Sequence, residues 1–130
     1  MILIGDKNIE CESIEKISSI SDIASTTPNT TVLYNFDFEI LKYVAKNNIS
    51  SCVVVKNLQE VIYASSFSVK YIIVENNISK HAQEIVNNYM LDSKILVIIN
   101  TDDEIVDNAL DEIDGIIYKK VVEYGHDRTR

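Results

Sequence analysis

The chain has 130 residues, 46% of them hydrophobic and 25% charged, with a net charge of −8. Such proportions suit one globular domain with a real core and exclude disorder. The longest apolar runs, such as ILVII at 95–99, fall far short of the roughly 18 residues that a membrane span needs, and so acidic a chain repels a phosphate backbone. Neither a membrane nor a nucleic acid is therefore expected as a partner, and because Met1–Asp6 lacks the basic start of an export signal, the expected location is cytoplasmic. The richness in Ile, Asn and Lys fits an AT-rich bacterial coding sequence.

Residues 1–30 are the least regular. MILI and NIEC flank Gly5-Asp6-Lys7 and read as a small hairpin, whereas Ile14, Ile17, Ile20 and Ala24 are spaced for a short helix, and Pro28-Asn29 marks a turn. An Ile-rich extension of this kind is expected to cover a sheet edge or to pair two subunits, which makes a homodimer the expected assembly.

From Thr31 onward the pattern is clear. TVLYNF (31–36), SCVVVK (51–56), KYIIVE (70–75), KILVII (94–99) and GIIYK (115–119) are rich in Ile, Val and Tyr without strict alternation, as in strands buried on both faces of a parallel sheet. Between them lie four helical stretches. The first would bury Phe38, Leu41, Val44 and Ala45, and the second Leu58, Val61, Ile62 and Ser65. The third would bury Ile78, Ala82, Ile85, Val86, Tyr89 and Met90, and the fourth Ile105, Val106, Ala109, Leu110 and Ile113. Asn57 with Glu60 and Thr101 with Glu104 have capping-box spacing, and Asp37 is placed to cap the first helix. Strand–helix units of about twenty residues define an α/β domain, and a closed eight-stranded barrel would need roughly 200 residues. The expected fold is a three-layer, doubly wound, mainly parallel sheet of five strands in the 2-1-3-4-5 order of flavodoxin-like proteins. Residues 1–30 would form the extension, 31–122 the α/β domain and 123–130 a flexible tail, whose GHDRTR ending holds the sole arginines, Arg128 and Arg130.

Ligands of such sheets bind beyond the carboxyl ends of the strands. Those ends supply Asp37, Lys56, Glu75, Asn100 and Lys119 as candidate ligand-binding residues. Asp37, Glu75, Thr101 and Lys119 follow the first, third, fourth and fifth of these strands, a placement that resembles response-regulator receiver domains over about 90 residues of topology. That resemblance implies acidic residues for Mg²⁺, a phosphate acceptor, a sensing hydroxyl and a pairing lysine. Here Asn35-Phe36-Asp37 replaces the acidic pair, Glu75 replaces the acceptor Asp and Lys120 follows Lys119 where proline is usual, so the implied module is receiver-like and not phosphorylated.

Several chemistries lack their motifs. Gly5, Gly115 and Gly125 are isolated, so no glycine-rich phosphate cradle exists, and FDFE after the first of these strands does not suit a flavin phosphate. No cofactor and no metal are expected. Cys11 and Cys52 are too few for a zinc site or disulfide framework, and Cys52 reads as core. His81 reads as an exposed residue in the first turn of its helix. Asp103, Asp107 and Asp111 repeat at four-residue spacing in a stretch without Lys or Arg, a candidate docking face for a basic protein partner. The expected function is a non-catalytic interaction or ligand-sensing module. The alternative is an enzyme acting on a small polar metabolite, with Lys56, Glu75 and Lys119 as acid–base groups.

Overall fold

The computed structural model describes residues 1–126, and among them seven strands form one parallel sheet. β1 (Ile2–Ile4) and β2 (Ile14–Lys16) precede β3 (Thr31–Asn35), β4 (Ser51–Val54), β5 (Tyr71–Val74), β6 (Lys94–Ile99) and β7 (Gly115–Tyr118). The helices are α1 (Phe38–Lys46), α2 (Leu58–Ser65), α3 (Ser79–Asn88), α4 (Glu104–Leu110) and α5 (Lys119–Tyr124), with 3₁₀ turns at Ile20–Ser25 and Asn76–Ile78. The chain is an α/β protein in which parallel strands alternate with helices, as in Rossmann- and flavodoxin-like folds.

Two expectations are corrected. The sheet has seven strands, not five, because residues 1–30 form neither a hairpin nor a regular α-helix but two strands at opposite edges. The order is β1-β7-β6-β5-β4-β3-β2, so β3 to β7 lie side by side in chain order, not as 2-1-3-4-5. A crossover that always steps the same way, with the usual right-handed sense, leaves its helices on one face. Consistent with one layer, Phe38 of α1 meets Tyr63 of α2 edge to face at 5.2 Å, α2 touches α3, and Lys80 of α3 pairs with Asp111 after α4 at 3.5 Å. Between β3 and β7 no reversal of order opens a crevice, which removes both the switch-point site and the receiver-like arrangement.

The sheet has to curl. β2 and β7 are five strand positions apart, about 24 Å across a flat sheet, yet residues 118–126, largely the helix α5, span at most about 18 Å. They nevertheless run from the end of β7 to β2, where Ile14 and His126 exchange two backbone hydrogen bonds of 2.7 Å. Gly115 serves a close approach on the other flank, since a Cβ there would stand 2.5 Å from the Ile2 carbonyl oxygen of β1. Of the tail expected over 123–130, Glu123 and Tyr124 belong to α5, and residues 127–130, with both arginines, lie outside the described residues.

The core is the strand interior plus one stripe from each of the first three helices and Val121 of α5. Val32, Leu33, Cys52, Val53, Ile72, Ile73, Leu96, Ile116 and Ile117 are buried, with Leu41, Val44, Val61, Ala82 and Val86 from the helices. The helices meet the following strands through a shared turn. Asn48, Ser68, Met90 and Glu112 each follow a helix with φ between 50° and 60°. Three of these turns close a bond five residues back, from the amides of Ile49, Leu91 and Ile113 to the carbonyls of Val44, Val86 and Asn108 at 2.9, 2.9 and 3.1 Å. This is the Schellman geometry, usually served by glycine because a side chain is crowded there. Met90→Gly and Glu112→Gly should therefore each raise stability by up to about 1 kcal/mol in urea unfolding. Tyr89→Gly, at the ordinary conformation one residue earlier, should lower it; losses in all three would show that the left-handed turns are absent.

Candidate functional site

At the carboxyl ends of the strands, much of the polar chemistry is spent on starting helices. Asp37 Oδ1 accepts from the backbone amides of Glu39 and Ile40 at 2.8 and 3.2 Å, capping α1. Asn57 Oδ1 accepts from the Glu60 amide at 2.9 Å, and Glu60 reaches back to the amide of Lys56 at 2.8 Å. Glu104 accepts from the amides of Thr101 and Asn100 at 2.9 and 2.7 Å, and these bonds hold its carboxyl below the usual range. Asp37 and the Asn57–Glu60 pair thus act as read, whereas Thr101 does not cap α4, which begins at Glu104 without a side-chain cap; these bonds engage Asp37 and the backbones of Lys56 and Asn100.

The candidate residues do not gather in one cavity. Asn100 and Lys119 share an open depression of about 430 Å³ with Tyr118, Lys120 and Glu123. Asp37 lines a separate hollow of about 170 Å³ with Lys16, Ser18 and Tyr34. Lys56 and Glu75 are exposed and line neither. Glu75 ends β5 at the start of a 3₁₀ turn, and its carboxylate makes no hydrogen bond or ion pair among the described residues. Of the acidic run, Asp103 precedes α4 without capping it, Asp107 is exposed, and Asp111 meets Lys80. His81 is exposed, and Cys52 is fully enclosed, its thiol pushed up by burial.

Two polar clusters escaped the sequence. Beside the depression, the Tyr118 hydroxyl donates to Asp102 and approaches Asp6 at 3.4 Å; the Asp102 hydrogen bond, more than burial, raises its pKa. This ties the turn after β1 to the β6–α4 loop. At the opposite end of the sheet, Glu12 accepts from Lys70 Nζ at 2.9 Å, from the Tyr71 hydroxyl at 2.7 Å and from the Thr31 hydroxyl, which also contacts Ser50. Burial pushes the Glu12 carboxyl up, but the bonds from Thr31, Lys70 and Tyr71 outweigh it and the net shift is downward. Burial also raises the Tyr71 phenol, reinforced by Glu12. No local pattern announces Glu12, because its partners lie 19, 58 and 59 residues away.

Chemically, the Asn100–Lys119 depression offers an amide, two ammonium groups and a carboxylate, enough to hydrogen-bond a small polar molecule. The Glu12 cluster instead joins chain segments. The chain matches no model of a known protein family, and no curated protein is detectably similar to it in sequence.

Because Glu12 is held below its unfolded value, its contribution is present at neutral pH and lost as pH falls below the ordinary glutamate value of about 4.3. Lys70 is half in water, so its pairing is screened and the phenol and hydroxyl bonds carry more. Glu12→Gln should cost about 1–2 kcal/mol at pH 7, and the gap to the parent should close towards pH 3 in urea titrations. A gap that stays constant with pH would rule out the ionised carboxylate as the joint.

Proposed function

We propose that the chain is a small non-catalytic interaction module. The observation that carries this reading is the dispersal of the polar strand-end groups: Asp37 is spent as a cap, Glu75 and Lys56 stand in solvent, and Asn100 and Lys119 share a depression without them. A catalytic group has to reach the same reacting atoms as its partners, and this set does not converge. Exposed apolar side chains on the helices, among them Phe38, Ile62, Tyr63, Val106 and Leu110, supply what an interaction surface needs.

The rival is a metabolite site, sensing or catalytic, in the Asn100–Lys119 depression. A thermal-shift panel of small polar metabolites separates the two, since a ligand at a hundred times its Kd adds about 2.7 kcal/mol to stability. The interaction reading predicts no shift across the panel. A compound that raises the Tm of the parent, and no longer does so in a Lys119→Ala or Asn100→Ala variant of unchanged Tm, would overturn it in favour of a metabolite site.

A further inference from the structure

Helix α4 turns most of its apolar residues outward, with Ile105 alone packed against the core. Its spacing predicts Val106, Ala109 and Leu110 on the buried side, yet Val106 is 63% and Leu110 76% exposed, Ala109 is exposed too, and the residue buried beneath the helix is Asn108 at 6%. At about 100° per residue, Val106 and Leu110 lie roughly 160° and 200° round the helix from Asn108, so they straddle the direction facing straight out. Asn108 settles its amide on the carbonyl of Glu104, one turn earlier, at 2.8 Å. The short helix therefore keeps Asn108 inward beside the partly buried Ile105 and leaves Val106, Ala109 and Leu110 to solvent.

Beside this strip runs a second one. Asp103, Asp107 and Asp111 occupy the adjoining flank, and among the described residues Lys80, paired with Asp111, is the sole cation bonded to any of the three. An apolar ridge with residues at i, i+3 and i+4, bordered on one side by carboxylates, has a complement: a helix presenting Leu-type side chains bordered by Lys or Arg. A second copy of the chain does not supply it through the same face, because α4 against α4 sets acid against acid, and each copy carries a net charge of −8.

We infer that α4 is the docking surface of the module and that its partner is a basic amphipathic helix. This rests on the interaction reading above and assigns its site. A seven-residue helix reaches only the low end of interface areas, so the association is transient.

The test titrates the whole chain against two synthetic helical peptides of about 18 residues, long enough to hold helix. One carries Leu at i, i+3 and i+4 between Lys and Arg; the other keeps every charge and replaces Leu with Ser. The Leu peptide should bind about tenfold tighter or better, each tenfold being about 1.4 kcal/mol. The Val106→Ser/Leu110→Ser double variant should erase that preference while its Tm and circular dichroism match the parent. Asp103→Asn/Asp107→Asn should weaken both peptides and flatten the salt dependence. Equal binding of the two peptides, a preference that survives the double variant, or no binding of either overturns the assignment. A metabolite response in the thermal-shift panel would strike the interaction reading separately, and it would leave the peptide comparison to stand or fall alone.

Discussion

The carboxylate of Glu12 joins the segment before β2 to the starts of β3 and β5, beside the backbone bond from the Thr31 amide to the Ser13 carbonyl. β1 and β2 are neighbours in sequence but occupy opposite edges of the sheet, so the residues between them pass from one edge to the other. Glu12 ends that passage by bonding Thr31 at the foot of β3 and Lys70 and Tyr71 at the foot of β5 together. At the far end, Tyr118 holds the turn at Asp6, and α5 returns from β7 to the free edge of β2. These ties keep the sheet curled and let both N-terminal strands act as flanks.

With the flanks supplied from the N-terminus, β3 to β7 follow one another without reversal. The consequence reaches the surface. A doubly wound sheet opens a crevice where helices diverge to opposite faces, whereas here β3 to β6 each lead, within a few residues, to a helix beside the last. Asp37, Asn57 and Glu104 bond backbone amides in consequence. What remains for recognition is the outer side of the helical layer, where α4 shows its apolar residues.

How much of this was legible from the sequence follows from the range of the interactions. Most local signals read correctly: the apolar runs marked β3 to β7, and Asp37 and the spacing of Asn57 with Glu60 marked two helix starts, because caps are made within four residues, whereas α4 starts three residues after Thr101 with no side-chain cap. Strand order was not legible, since nothing in MILI or in IEK at 14–16 states which edge each will join. The face of α4 also misled. Five apolar residues at helical spacing normally turn inward, but of these Ile113 alone, beyond the helix, is buried and Ile105 partly so, while Asn108 takes the inward position. Among the site candidates, residue type and strand-end position could be read, but whether the side chains converge depends on the order and curl of the sheet.

Strand order is what the rest depends on, and inter-strand nuclear Overhauser contacts measure it directly. The sequential order predicts backbone contacts of Val53 in β4 with both Tyr34 in β3 and Ile72 in β5, together with Ile2 against Gly115 and Ile14 against Thr31. Direct backbone contacts between β3 and β5, with β4 displaced to an edge, would contradict it and restore the crevice at the strand ends.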